Sequence, residues 1–137
     1  MDTALNFTIP VSPRTKKNHS VPIVNPKTGY MINLPSKAYR TMEKEIVKFM
    51  KNNNYAGLKI STPINLQCHF YKDKDYKSDL TGYLQALQDA LVKAEVLEDD
   101  NHKIVKTTNG SEVFLDRENP RIEVEITFYE ERINEND

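Results

Sequence analysis

From Ile64 to Tyr71 the chain reads INLQCHFY, with Ile64, Leu66, Cys68 and Phe70 on one face and Asn65, Gln67, His69 and Tyr71 on the other. A period of two is that of a strand with one buried side. Ile122, Val124, Ile126 and Phe128 repeat the alternation and predict a final strand, and Leu5 to Ile9 predicts a first one. Two stretches have helical period instead. From Lys37 to about Asn52 the apolar residues Tyr39, Met42, Ile46, Phe49 and Met50 recur three and four apart. Ser36 is placed to cap that helix, and KNNNYAG supplies the Asn and Gly that close one. From about Thr81 to Ala94 a second helix carries Leu80, Leu84, Leu87, Leu91 and Ala94 on one face.

Turn residues divide what remains. VPIVNPKTGYMINLP sets Asn25-Pro26-Lys27-Thr28-Gly29 between two short apolar runs, which predicts a hairpin. KIVKTTNGSEVFL sets Asn109-Gly110 between two β-prone runs, which predicts a type I′ hairpin. RENPR turns the chain into the last strand, and the polar ERINEND ends it. The order is strand, hairpin, helix, strand, helix, hairpin, strand. That is one α+β domain over residues 1–137, with two main helices packed on a mixed sheet and with 1–3 and 131–137 frayed.

A length of 137 residues suits a single core of modest size. No apolar run is long enough to cross a bilayer, no leader pattern opens the chain, and Cys68 is the only cysteine, so the reading is a cytoplasmic protein without disulfides and without membrane contact. The net charge of −1 hides an asymmetry: residues 1–60 hold ten Lys/Arg against three Asp/Glu, and residues 61–137 hold nine against seventeen. A basic surface for phosphates and an acidic region for cations would follow from that, unless folding intermixes the halves.

The acidic half contains DLTGYLQALQDALVKAEVLEDD, in which Asp79 precedes the second helix and Asp99 and Asp100 follow it. Carboxylates that converge can hold Mg²⁺, which shields a phosphodiester and activates water. A helix from Thr81 to Ala94 is about 21 Å long, and six extended residues from Glu95 reach about 20 Å. The acids therefore meet only if the chain doubles straight back, if the helix breaks early, or if a second subunit supplies one end. The structural alternatives are a capping role for Asp79 and a solvated turn for Glu98-Asp99-Asp100. Asp89, mid-helix, reads as a solvent-facing residue or a local salt-bridge partner rather than a ligand. In the basic half, Arg14, Lys16 and Lys17 share a loop with Asn18, His19 and Ser20, and are either phosphate contacts or an ordinary solvated loop. Lys27, Lys37 and Arg40 would widen that surface, and Lys72, Lys74 and Lys77 precede Asp79. His69 reads as a sheet-face residue, His102 as a neighbour of the acidic pair, and Tyr71, Tyr76 and Tyr83 as packing residues or base-stacking ones.

DLTGYLQALQDALVKAEVLEDDNHK resembles the central motif of the RusA-type Holliday junction resolvases of bacteria and phages, roughly D-x-D-N-L, a helix with D-A-L-x-K-A, then an acidic pair. Asp79 matches the first aspartate, Asp89-Ala90-Leu91 with Lys93-Ala94 the helix, and Asp99-Asp100 the pair; SPRTKKN and PSKAYRTMEKE resemble phage members as well. The resemblance implies a RusA-like homodimer that binds four-way or branched DNA and resolves it by paired, Mg²⁺-dependent cleavage, with Mn²⁺ an alternative ion and no small-molecule cofactor. A junction with near two-fold symmetry suits a symmetric dimer with two equivalent sites. It implies Asp79, Asp99 and Asp100 as catalytic metal ligands, and Arg14, Lys16, Lys17, Asn18 and Lys77 as DNA contacts. This chain departs from the motif at Thr81, where many members have the second aspartate, at Gly82, where Asn is usual, and at Gln85, where a lysine important for cleavage is frequent. A neutral threonine oxygen binds Mg²⁺ far more weakly than a carboxylate. Those departures leave open a branched-DNA-binding protein with weak or no cleavage.

Overall fold

The computed structural model describes residues 3–16, 21–34, 36–75 and 77–129. The elements are β1 (Thr3–Ile9), β2 (Val21–Val24), β3 (Met31–Leu34), α1 (Lys37–Asn52), β4 (Ile64–Lys72), α2 (Leu80–Lys93), β5 (Val105–Thr107), β6 (Glu112–Leu115) and β7 (Arg121–Phe128). The α+β class and the mixed sheet with two helices are as the patterning predicts. Of the ends expected to fray, Thr3 opens β1 opposite Thr127, and 1–2 and 131–137 lie outside the described residues.

The main sheet runs β1-β7-β4, with β5 and β6 both on the far side of β4. β7 is antiparallel to β1 and to β4, whereas β5 and β6 run parallel to β4. Alternation fixes which side chains go inward: Ile64, Leu66, Cys68 and Phe70 of β4, Ile122, Val124 and Ile126 of β7, and Phe7 and Ile9 of β1 are all buried. They meet Tyr39, Met42, Ile46 and Met50 of α1 and Leu84, Leu87 and Leu91 of α2 in one core. Burial pushes the Cys68 thiol pKa upward, as for a core side chain. The predicted cap of α1 forms, with the Tyr39 N–H donating to Ser36 Oγ at 3.2 Å. The alternation overreaches at its margins: Phe128 is 45% exposed at the end of β7, and Phe49 is only partly buried.

The first hairpin forms as predicted, with Val21 opposite Leu34 and Gly29 in the left-handed conformation its turn requires. The second does not. β5 and β6 pair with β4 rather than with each other, so Asn109-Gly110 interrupts one edge instead of reversing it. A type I′ turn needs both central residues at positive φ, and here Gly110 has it and Asn109 does not. Contacts to β4 account for this. The Asn109 N–H donates to Asn65 Oδ1 at 2.9 Å, and the Cys68 N–H donates to Ser111 Oγ at 3.0 Å. Gly110 passes so close to β4 that a Cβ there would stand 2.2 Å from Gln67 Oε1. Long-range anchoring overrides the local turn signal.

Candidate functional site

The two ends of the acidic stretch are placed by the limits of α2. Asp79 is its N-cap residue in extended conformation, and its carboxylate makes no capping hydrogen bond. Among the described residues that carboxylate has no hydrogen-bond or ion-pair partner, so what it offers the helix is its charge at the positive end of the dipole. Thr81, on the next exposed position, presents a neutral oxygen. Gly82 has a local reason: a Cβ there would lie 3.1 Å from Cγ2 of buried Thr15, so the missing side chain lets the loop after β1 settle on the first turn of α2.

That contact brings Lys16 onto α2 and Arg14 to the end of β4. Arg14 makes a bidentate pair with Asp73, at 2.9 and 3.3 Å, and its guanidinium holds the Asp73 carboxyl below the usual range. Lys16 Nζ reaches Asp89 Oδ2 at 2.7 Å and lies 5.9 Å from the centre of the Tyr39 ring. Asp89 is thus a salt-bridge partner, but of a lysine 73 positions away rather than of a local one.

At the other end α2 stops at Lys93, and Glu95 takes φ 59° to reverse the chain. Buried Val96 and Leu97 and a bridge from Leu97 to Ile60 then hold the return segment against the body. The return brings Asp100 back to Gln85, whose Nε2 donates to Asp89 Oδ1 at 2.8 Å and to Asp100 Oδ2 at 3.3 Å. Gln85 lies six residues after Asp79, about 9 Å along the helix axis. Asp99 shapes the turn itself, accepting from the Asp100 N–H at 2.8 Å and from Asn101 Nδ2 at 3.0 Å. The Asp100 N–H, and after it the Asn101 amide, lower the Asp99 pKa. Among the described residues no group of three or more His, Cys, Asp and Glu side chains is placed to hold a metal ion. The donors present are hard oxygens, the kind Mg²⁺ and Mn²⁺ take.

Of the other candidates, Lys77 is exposed two residues before Asp79, and Lys17, Asn18 and Tyr76 lie outside the described residues. His102 is exposed, and His69 holds the Gly110 carbonyl at 2.9 Å. Tyr83 is buried and stacked on Phe70, and Tyr71 is stacked on Phe114 under the Arg121 guanidinium, so packing accounts for both. The Gln85 bridge is the part that residue-by-residue reading missed. Its visible signal was the four-residue spacing to Asp89, at which Gln and Asp side chains meet on a helix.

An acid-bearing helix flanked by cations is laid on a mixed sheet. A family model described as Endodeoxyribonuclease RusA matches residues 10–127. The chain belongs to that family. Membership implies hydrolysis of phosphodiester bonds in DNA, Holliday junction resolvase activity in general, binding of branched junctions and a general dependence on divalent metal ions. No curated protein matches the chain. Among the described residues no helix is long and apolar enough to cross a membrane.

Proposed function

We propose that this chain is a Mg²⁺-dependent endonuclease that resolves four-way DNA junctions by paired nicks in recombination and repair, in the cytoplasm and as a homodimer. The observation that carries the proposal is the Asp79 carboxylate, left without a partner at the head of α2 while Asp100 is led back along the same helix. Asp79 and Asp100 are the principal ligands of the ion, Mn²⁺ serving as well as Mg²⁺, and Asp99 assists while it holds the turn. A bound ion supplies neutralisation of the scissile phosphate and an acidified water. Arg14, Lys16, Lys17, Asn18 and Lys77 are the contacts to the DNA, so that the phosphate sits still while the attacking oxygen bonds to phosphorus and the leaving oxygen departs. A second copy has an apolar surface to cover, since the β2–β3 hairpin forms its own two-stranded sheet and exposes Val24, Tyr30 and Met31.

A second reading has its own support. Thr81 offers no charge, and Gln85 ties Asp100 to Asp89 with a neutral amide, as in a protein that binds branched DNA and cuts it weakly or not at all.

The test is a synthetic four-way junction incubated with the purified protein, with and without Mg²⁺ or Mn²⁺. Paired nicks that Asp79→Asn abolishes, with junction binding retained, support the nuclease. Binding with no nick under either ion favours the second reading. A junction bound no better than linear duplex removes both.

A further inference from the structure

The outward face of α1 is so far without a role. Lys37, Arg40, Lys44, Lys48 and Lys51 are spaced three and four apart and all are exposed. At 3.6 residues per turn they occupy an arc of about 80° along about 21 Å of helix. The opposite face is the buried one, with Tyr39, Met42, Ile46 and Met50. None of the five cations has an ion pair among the described residues, although the other cations of this half mostly do: Arg14 holds Asp73, Lys16 holds Asp89 and Lys59 approaches Glu95. Of the two acids on α1, Glu43 is engaged by Lys93 and by the Tyr39 hydroxyl, which leaves exposed Glu45 at the border of the stripe.

Helix stability does not account for this. Like charges three and four apart weaken a helix, and a first turn holding Lys37 and Arg40 with no acid sets cations against the positive end of the dipole. Only Lys51, in the last turn, is where the dipole favours it. A straight row of lysines with no aromatic side chain among them suits a backbone of regularly spaced anions and offers nothing to read a base edge. One DNA strand presents regularly spaced phosphates, and those on the side that faces the helix meet the row before the strand winds away.

We infer that Lys37, Arg40, Lys44, Lys48 and Lys51 form a track along α1 for the phosphate backbone of one duplex arm, separate from the contacts around Asp79. The inference rests on the DNA-binding reading above and names the surface that seats an arm. Contact is independent of sequence and strongly dependent on salt.

The test replaces Lys44, Lys48 and Lys51 together by glutamine, which keeps helix propensity. Junction and linear-duplex affinity are measured across a salt series. Each phosphate contact contributes about −0.9 to the slope of log K against log salt, so a slope shallower by about 3 is expected on both DNAs, with junction nicking at saturating protein unchanged. The melting temperature should not fall, because repulsion is relieved. Glu45→Gln should act oppositely and tighten binding. A wild-type protein that binds junctions beside a triple variant with the same slope overturns the track and leaves the functional proposal standing. A variant whose slope is kept while sedimentation shows a dimer falling to monomer also overturns it, since the stripe then faces a second copy. A wild-type protein that binds no DNA overturns both.

Discussion

α1 and α2 bury equivalent faces on the same sheet and present opposite chemistry outward. Acids stand on and at the ends of α2, and two of them are tied down: Lys16 holds Asp89, Gln85 links Asp89 to Asp100, and Thr15 covers the first turn. The outer side of α1 is a row of five exposed cations without ion pairs among the described residues. Charge asymmetry along the chain therefore does two things on folding. Among the described residues four ion pairs join the basic half to the acidic half, through Arg14, Lys16, Glu43 and Lys59. The α1 face stays out of that exchange. Cations that reach acids of the other half and cations without an ion pair among the described residues come from the same segment, and only the fold separates them.

If the inner faces are equivalent, truncating either should cost alike. Ile46→Ala on α1 and Leu91→Ala on α2 remove side chains that are fully buried in one core. Each should lower unfolding free energy by about 2–5 kcal/mol, measured by urea denaturation. A cost of under about 1 kcal/mol at one position alone would show that the helices are not comparably seated.

The outer faces should respond differently, and Gln85→Lys sharpens that difference. An ammonium at this position would sit between Asp89 and Asp100 and next to the scissile phosphate proposed above. Charge-assisted contacts are roughly twice as strong as neutral ones, and a cation beside the phosphate stabilises charge in the transition state. Junction cleavage should rise about tenfold, equivalent to about 1.4 kcal/mol of barrier. No change in single-turnover rate would show that the neutral amide does not limit the reaction. On α1 the same change of charge, Thr41→Lys, should alter affinity and leave that rate alone.

How much of this was legible beforehand follows from the range of each interaction. The strand at Ile64–Phe70 and the buried face of α1 were legible because a period of two or 3.6 is local and the core enforces it. The Asn109-Gly110 hairpin was misread because the local signal was correct and the deciding contacts, from Asn65, Gln67 and Cys68, come from a strand about forty positions away. The acidic residues at the ends of α2 could be named from spacing and resemblance. That Asp100 would come to Gln85, and that Lys16 would cross to Asp89, depended on how loops pack. The α1 track was half visible: Lys37 and Arg40 were read as basic surface, while Lys44, Lys48 and Lys51 join them only once the whole face is known to lack partners.

The pair that fastens the basic loop to the end of β4 also carries a pH dependence. Arg14 lowers the folded pKa of Asp73 below its usual 3.8. A depressed carboxyl contributes stability that is fully present above the unfolded value and is lost as pH falls through the folded one. Each partner is 22% exposed, so screening is partial and the pair contributes about 1 kcal/mol. Urea midpoints of the wild type and Asp73→Asn should differ by a constant amount above about pH 4 and converge as pH falls further, through the lowered folded value. Parallel curves across that range would mean that the pair adds nothing to folding.

The smallest effect is expected where the two helices differ most simply, in what covers the first turn. Gly82 is helical, and Ala in its place should gain about 1 kcal/mol of helix propensity. Against this, the new Cβ would lie 3.1 Å from Thr15 Cγ2, so buried Thr15 has to give by a few tenths of an ångström. Overpacking a settled contact costs about 1–3 kcal/mol, and this contact lies at the mild end. The terms nearly cancel, so Gly82→Ala should change stability by less than about 0.5 kcal/mol, the usual range of neutral substitutions. Adding Thr15→Ser removes the opposing methyl, and the double variant should recover more of the propensity gain than the sum of the single changes. That coupling, read from a double-mutant cycle, tests whether the basic loop rests on the head of α2. Strict additivity would detach the loop from the helix, and with it the reason that Arg14 and Lys16 stand beside the acidic residues.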